Sequence, residues 1–170
     1  NTKDGTGKAD APPCSVDMIG GLESPPAPAP SSWPSSSRLW AGCLPAGLFT
    51  SADGGASWQL VESLWMRPER KNWVGGGYDH AGIHTILIDP RDASHITVGI
   101  SCGGVWQSRD TGQSWTNTSA GLQADYMPPE RQSDPDIQDP HRIDHCVAAP
   151  DVLWMPHHCG RYPPTDGGLP

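Results

Sequence analysis

The feature that most constrains this fold is an internal repeat. Residues 39–58 align without a gap onto residues 96–115, at an offset of 57 positions, and a third, less complete copy runs from Val152 to Gly168. Glycine, serine, aspartate and tryptophan recur at matching positions of the first two copies. A chain that repeats a unit of this length is typical of an array of similar supersecondary units, each packed on its neighbours.

Each copy contains strand-length runs separated by turn residues. In the second copy the runs are 83–89, 96–101 and 105–108, and a fourth strand begins near Trp115. The 20 glycines and 19 prolines among 170 residues exclude a helical bundle. Four antiparallel strands in a unit of this length predict one blade of a β-propeller.

A turn motif follows the third strand of each unit. Residues 51–58 (Ser-Ala-Asp-Gly-Gly-Ala-Ser-Trp) and 108–115 (Ser-Arg-Asp-Thr-Gly-Gln-Ser-Trp) match the pattern S-x-D-x-G-x-[ST]-W, and residues 165–168 keep part of it. This pattern is the Asp box. With it, residues 38–162 resemble sialidase-like proteins of the BNR and YVTN repeat group, including proteins described as exo-α-sialidases. The resemblance implies a β-propeller and points to a glycoside hydrolase.

We expect the box residues to act locally. The aspartate can accept hydrogen bonds from N–H groups of its own turn, the glycine can adopt a positive φ, and the tryptophan can pack onto the hairpin. In sialidases the box lies on the face opposite the active site. We therefore assign a structural role, and no chemistry, to Ser51, Asp53, Gly55, Trp58, Ser108, Asp110, Gly112 and Trp115.

The composition changes near residue 37. Residues 1–37 are rich in proline and serine without an alternating apolar pattern, which predicts an irregular segment. Residues 38–170 are predicted to form the blades. The expected fold is all-β, a partial propeller of about two and a half four-stranded antiparallel blades, and because propellers need about four to eight blades, we expect a fragment of a larger ring.

Strand counting sorts the connections onto two faces. The Asp boxes and the turn at Asp89 fall on a lower face. The crossovers 61–82 and 119–142 and the loops 43–46, 101–104 and 157–160 fall on an upper face, where sialidase-like propellers bind ligand. That face carries the carboxylates and tyrosines of a glycosidase. We predict catalytic roles for Asp79, Glu130 and Tyr126. We predict substrate contacts from Tyr78, His80, Arg131, Asp139, His141, His157 and His158.

Other interpretations of these residues stay open. Long loops are polar because they face water, so each residue can simply hold its loop in shape. The resemblance to sialidases requires three arginines around the substrate carboxylate, yet none of the available ones lies in an F/Y-R-I-P motif: Arg67, Arg70, Arg131 and Arg142. Histidines and cysteines between 141 and 159 suit Zn²⁺ in type, but neighbours on a strand point to opposite faces, and we predict no metal and no cofactor.

Charge and composition narrow the choice of partners. The formal net charge is −8 without a long basic cluster, which argues against nucleic acid. No apolar run reaches the roughly 20 residues of a membrane-spanning helix. The sequence shows no readable secretory signal, and its five cysteines are irregularly spaced. The compartment stays open, with a soluble, cytoplasmic protein favoured over a secreted one.

Two functions follow from this reasoning. The first is a sialidase-like glycoside hydrolase fragment that is inactive in isolation, because a propeller active site needs loops from most blades. The second is a non-catalytic propeller module. In both cases the upper face binds a glycan or protein. Open blade edges and exposed apolar surface also predict self-association.

Overall fold

A computed structural model describes residues 38–157 and 160–162. The strands of that part are β1 (Leu39–Cys43), β2 (Gly47–Ser51), β3 (Gln59–Leu60), β4 (Ile83–Asp89), β5 (Asp92–Ile100), β6 (Gly104–Ser108), β7 (Thr116–Asn117), β8 (Asp144–Cys146), β9 (Ala149–His157) and β10 (Gly160–Tyr162). Helical structure there is limited to α1 (Glu62–Trp65) and to 3₁₀ turns at Pro68–Asn72, Pro129–Arg131 and Pro135–Ile137. The predicted all-β class is confirmed.

The strands form three antiparallel sheets that follow the sequence repeat. Their orders are β1-β2-β3 (blade 1), β4-β5-β6-β7 (blade 2) and β10-β9-β8 (blade 3). Pairing of β1 with β2 begins at Leu39 and Ser51, and pairing of β5 with β6 begins at Ile96 and Ser108. The two registers therefore differ only by the repeat offset. Blade 2 has the four predicted strands, and the architecture is a partial β-propeller.

Blade 2 is buried on both faces. One face shares a hydrophobic core with blade 1, whose members include Trp40, Leu48, Ile86, Ile96, Val98 and Trp106. The other face packs against blade 3 through Leu87, Val105, Ile143, Leu153 and Met155. Because successive strand residues point to opposite faces, the alternation within β4 sends Ile86 to one core and Leu87 to the other.

Glycines at equivalent positions allow the sheets to approach closely. A Cβ atom at Gly42 on β1 would lie 2.7 Å from Ile83 of blade 2. A Cβ atom at Gly99 on β5 would lie 3.1 Å from Ile143, which precedes β8. The repeat thus preserves a small residue where each sheet meets the next one.

The two complete Asp-box segments have the same internal hydrogen bonds. Asp110 Oδ1 accepts the Ser114 N–H at 2.9 Å, and the Ser108 hydroxyl accepts the Gly112 N–H at 2.8 Å. Asp53 accepts the Ser57 N–H at 2.9 Å in the same way. Hydrogen bonds from these serines lower the pKa of each aspartate to about 2. The glycines of the motif, Gly55 and Gly112, have φ values of +92° and +83°.

The upper end of the sheets joins both crossovers to the short loops, as strand counting predicts. Ser101 N–H donates to the carbonyl of Gly82 at 2.9 Å, and Gly104 N–H donates to the carbonyl of Gln138 at 2.9 Å. The guanidinium of Arg70 donates to the carbonyl of Pro45 in the β1–β2 loop.

The lower end carries an ionic link between blades 2 and 3. The Arg91 guanidinium bonds Asp89 at 2.7 Å and Asp151 at 2.5 Å. Arg91 and His95 hold the pKa of Asp89 well below its usual range. Behind this link, a small cavity of about 30 Å³ lies between the two sheets, bordered by His95, Thr97, Gln107 and Leu153.

Some predictions fall outside the described residues. These are the irregular segment 1–37, the partial Asp box 165–168 and His158. Within the described part, β9 continues through His157, where a loop was expected, because His157 pairs with Gly160 and shortens the connection to two residues. No helix among the described residues is long and apolar enough to cross a membrane.

Candidate functional site

A β-bulge places His84 at the upper end of β4. The β4–β5 pairing joins Ile83 to Ile100 and resumes with Thr85 opposite Gly99, so His84 is an extra residue between two paired positions. A bulge turns a side chain out of regular alternation and is frequent beside functional sites. Here the imidazole Nε2 is hydrogen-bonded to the Ser101 hydroxyl at the start of the β5–β6 loop.

His84 is the centre of a group of polar side chains at this end of the sheet. Its ring centroid lies 6.3 Å from that of His141. Burial lowers the pKa of His84 below its ordinary value of 6.5, with an opposing contribution from Asp139 and a further lowering by His141. His84 is therefore mostly neutral at pH 7. We name the group the His84 cluster: His84, Ser101, Cys102, Tyr126, Asp139 and His141.

Asp139 ties the cluster to both crossovers. Its side chain is buried, and its Oδ1 accepts the Cys102 N–H at 3.3 Å. A Cβ atom at Gly76 would lie 2.6 Å from Asp139 Oδ2, so the glycine segment 75–77 passes directly over the carboxylate. Burial and Asp139 together raise the pKa of Cys102 to about 11. That thiol remains protonated and is not a nucleophile at neutral pH.

Tyr126 is held at the edge of the cluster. Its hydroxyl donates to the carbonyl of Ile137 and lies 3.9 Å from the sulfur of Cys102. The side chain is nevertheless 41% exposed. A fixed, half-open aromatic ring of this kind offers an apolar face to a ligand.

The predicted residues of the first crossover lie in solvent. Tyr78, Asp79 and His80 are all exposed. They follow a tight turn in which Gly77 N–H donates to the carbonyl of Gly75 at 2.9 Å. A side chain at Gly75 would collide with the carbonyl oxygen of Tyr78, so the turn depends on that glycine.

The second crossover distributes its predicted residues differently. Tyr126, Asp139 and His141 belong to the His84 cluster, whereas Glu130 and Arg131 are exposed on a 3₁₀ turn. The backbone of His157 ends β9, and His158 is outside the described residues. In the described part, His, Cys, Asp and Glu form no group of three or more that could hold a metal ion.

Every arginine of the two crossovers already has a protein partner. Arg67 bonds Glu69 at 2.6 Å, and Arg131 bonds Asp134 at 3.1 Å. Arg142 bonds Asp144 at 3.3 Å. Arg70 donates to Pro45 and its guanidinium stacks 3.6 Å from the centre of the Trp65 ring. An anionic substrate would have to compete with these contacts.

Sequence reasoning missed three residues of the upper face. His84 and Ser101 lie in strand-like runs without a motif of their own. Asp136 was given no role, yet burial raises its pKa, and it accepts a hydrogen bond of 3.2 Å from the Asn72 side chain on the other crossover. A carboxyl group with a raised pKa is the type that donates a proton in glycosidases.

Comparisons with known proteins find one relative in sequence and several solved structures with a similar fold. No protein-family model matches the chain. The oligoxyloglucan-reducing end-specific xyloglucanase of Emericella nidulans is 34% identical over 79 residues, which are 46% of this chain and 9% of that protein.

Solved structures of GH74 enzymes have a similar fold. An ancestral GH74 enzyme matches with a TM-score of 0.52 and 20% identity over 79% of this chain and 16% of that one. The Niastella koreensis GH74 enzyme matches with a TM-score of 0.46 and 22% identity, over 74% of this chain and 16% of that one. The Xanthomonas campestris GH74 xyloglucanase matches with a TM-score of 0.49 and 21% identity, over 71% of this chain and 16% of that one. This chain thus spans a small part of each relative.

These relatives bear on the predicted resemblance at two levels. The likeness to β-propeller glycoside hydrolases is confirmed at the level of fold and relatives. The sequence relative is described as a xyloglucanase and the ancestral structure as a GH74 enzyme, so they do not support the narrower likeness to sialidases.

Proposed function

We propose that this chain is part of a β-propeller glycoside hydrolase and that its upper face binds an uncharged glycan. The observation that carries the proposal is the 34% identity over 79 residues with a xyloglucanase. The carboxylates and aromatic rings of the upper face supply the matching chemistry. Sugars present hydroxyl groups and apolar ring faces, which such side chains can bind.

The electrostatics of the upper face favour an uncharged glycan over a sialoside. A sialic acid carboxylate is bound by arginines that are available for bidentate contact. The crossover arginines instead have carboxylate or carbonyl partners, for example Arg67 with Glu69 and Arg131 with Asp134. Acidic side chains such as Asp79 and Glu130 remain exposed beside them and would repel an anion.

Residue roles follow from the geometry. Asp79 and Glu130 are proposed as carboxylates that reach the substrate, and Asp136, whose pKa is raised by burial, as the proton donor. Tyr126 is proposed to contact a sugar ring with its face, because its hydroxyl already donates to Ile137. Further contacts are proposed from Tyr78, His80, Arg131, Asp139, His141, His157 and His158.

A second function is binding without turnover. Large apolar side chains are exposed on the same loops, with Leu44 at 44%, Met66 at 74% and Val74 at 54% exposure. Exposed apolar groups on neighbouring loops are typical of a surface that contacts a macromolecule. A propeller module that holds a polysaccharide or protein would use this surface without needing carboxylate chemistry.

Binding and turnover can be measured separately. We would titrate the chain with a xyloglucan heptasaccharide and with 3′-sialyllactose by calorimetry, and follow reducing-end release from xyloglucan. Asp79→Asn, Glu130→Gln and Asp136→Asn test the carboxylates. Asp92→Asn, at the lower end of β5, is the matched control because it keeps the oxygen that accepts from Ser94.

The proposal predicts heptasaccharide binding that is weakened by the upper-face variants and unchanged by Asp92→Asn. Release of reducing ends that is lost in Asp136→Asn supports the hydrolase. Heptasaccharide binding without any release is expected both of the non-catalytic module and of a hydrolase fragment that lacks the loops of its other blades, so it supports glycan binding alone. Tighter binding of sialyllactose than of the heptasaccharide would contradict the uncharged substrate.

A further inference from the structure

The two crossovers meet at one point of the upper face, through a 3₁₀ turn of each. The Asn72 amide on the first crossover donates to Asp136 Oδ2 on the second at 3.2 Å. Glu69 and Asp134 lie close enough to Asp136 to add to the rise in its pKa that burial causes. Charged groups of both crossovers are therefore neighbours here. We name them the crossover junction: Arg67, Glu69, Asn72, Arg131, Asp134 and Asp136.

Glu69 occupies the carboxylate-binding edge of Arg67. Its Oε1 accepts from Arg67 Nη2 at 2.6 Å, and its Oε2 accepts from Arg67 Nε at 3.1 Å. This bidentate contact is the one that a guanidinium otherwise offers to a carboxylate ligand. The Arg67 guanidinium also lies over the Trp106 ring, 5.1 Å from its centre. Because Trp106 supports it, the guanidinium would keep its place without Glu69.

Asp134 pairs with Arg131 in the second crossover. Arg131 Nη2 donates to Asp134 Oδ2 at 3.1 Å. Asp134 Oδ1 accepts the Asp136 N–H at 3.1 Å, which fixes the carboxylate at the start of its 3₁₀ turn. A carboxylate held within the same short segment has a high effective concentration, so a dissolved carboxylate competes poorly with it.

The two pairs leave the junction without net positive charge. Two arginines and two paired carboxylates cancel, and Asp136 adds negative charge whenever it is ionised. All four paired side chains are still between 27% and 46% exposed, so a ligand can reach them. A sugar hydroxyl can hydrogen-bond to their exposed atoms. A sugar carboxylate meets guanidiniums that are already paired, next to other carboxylates.

We propose that Glu69 and Asp134 are specificity-determining residues that exclude acidic glycans from the upper face. Neutral sugars bind, and sugars that carry a carboxylate, such as uronic acids, are rejected. Placing a competing group against the wrong ligand is a general route to specificity. The inference rests on the proposed glycan function and names its substrate class and the residues that set it.

The test releases the two arginines. Glu69→Gln and Asp134→Asn, alone and together, remove the paired charges and keep the size of each side chain. Asp144→Asn is the matched control, because it also removes one negative charge and frees an arginine, Arg142, from a 3.3 Å contact outside the junction. Glu69→Gln combined with Arg67→Gln tests whether a gain passes through Arg67. Circular dichroism checks that each variant is folded.

Glucuronate and glucose are the matched ligands, since they differ only in the carboxylate that replaces a hydroxymethyl group. Nuclear magnetic resonance of the arginine Nε–H groups follows their binding and detects weak complexes. Calorimetry with the xyloglucan heptasaccharide is run on the same samples.

The double variant should bind glucuronate about tenfold more tightly than the unmodified chain, because charge-assisted hydrogen bonds to the ligand replace the internal pairs. The Arg67 Nε–H signal should shift on addition of glucuronate, and the gain should shrink as salt is added. Glucose binding should not change. Asp144→Asn and the Glu69→Gln/Arg67→Gln variant should show no gain.

Two results overturn the inference. One is a double variant without a gain for glucuronate, and if that variant does not fold, the single variants decide by the same criterion. The other is an equal gain in Asp144→Asn, which would assign the effect to overall charge.

The heptasaccharide separates this inference from the proposed function. Heptasaccharide binding without a glucuronate gain leaves the proposed function standing and contradicts the role of Glu69 and Asp134. A glucuronate gain without heptasaccharide binding supports that role and contradicts the proposed glycan.

Discussion

Single residues at the strand ends separate the chemistry of the two faces. At the lower end, the carboxylate oxygens of Asp53 and Asp110 accept hydrogen bonds from Ser57 and Ser114 within their own turns. At the upper end, the bulge at His84 turns an imidazole toward Ser101 and the crossovers. The same sheet therefore ends in a closed structural turn on one side and in a group of titratable side chains on the other.

The electrostatic surroundings of His84 predict its titration. Burial lowers its pKa, and Asp139 partly offsets that effect. We expect the His84 resonances to titrate with a midpoint below 6.5, the ordinary value. Asp139→Asn should lower the midpoint further, because it removes a negative charge. His141→Gln should raise it, because it removes a competing positive charge.

Nuclear magnetic resonance of the imidazole carbons measures these midpoints. His141 is exposed, so His141→Gln leaves the fold intact even if loss of the Asp139 carboxylate loosens the loops. A His84 midpoint at or above 6.5 would contradict the environment described above. So would a midpoint that moves down in His141→Gln.

The Asp-box carboxylates predict how stability depends on pH. Their folded-state pKa of about 2 lies below the ordinary 3.8, so the unfolded chain binds protons more readily. Their contribution is complete above about pH 4 and is lost as pH falls toward 2. The double variant Asp53→Asn/Asp110→Asn should unfold at lower urea at neutral pH and lose less stability between pH 4 and 2.

Urea midpoints across this pH range provide the measurement, and Glu62→Gln, at the exposed first residue of α1, provides the control. Asp89 and Asp151 also have lowered pKa values through Arg91, so some slope remains in the double variant. An unchanged slope would show that the box carboxylates do not contribute.

At the scale of elements, local chemistry explains what the sequence could predict. The boundaries of β2 and β6 follow from turn residues such as Gly47, Gly104 and the Asp boxes, which act within a few positions. The bulge at His84 was not predictable, because Ile83–Asp89 reads as one continuous strand and the shift arises only on pairing with β5. The contact of Asp139 with Cys102 joins residues 37 positions apart and depends on the folded crossover.

Close packing of sheets gives a prediction at this scale. Gly42→Ala should destabilise the fold by about 2 kcal/mol, because the new Cβ meets the Cβ of Ile83, which cannot move without its strand. Gly99→Ala should cost less, under about 1 kcal/mol, because it meets the flexible end of Ile143. Urea unfolding of both variants gives the comparison, and equal losses would contradict it.

At the scale of the whole molecule, stability is distributed unevenly among the sheets. Blade 2 is covered on both faces, and its β5 is paired on both edges with β4 and β6. Blade 3 has one apolar face in solvent and short strands on either side of β9. The free energy of local opening is lowest where few apolar contacts are lost.

Hydrogen exchange should therefore rank the strands. We expect the amides of β5 to exchange slowest and those of β8 and β10 to exchange at least tenfold faster, a difference of about 1.4 kcal/mol in opening free energy. The measurement is made at low protein concentration, so that association does not add protection. Uniform rates across the three sheets would contradict the ranking.

The bulge at His84 has a consequence for how such a protein can change. Below it, Thr85 to Ile88 keep a strict inside–outside alternation that two cores depend on. Above it, the phase has already been broken once, so an insertion or deletion among the exposed residues 76–80, which precede the buried Ala81 and Ile83, does not change the side of the sheet that each of these residues faces. The loop sequence at the upper end of the sheet can therefore evolve or be engineered independently of the core residues below the bulge.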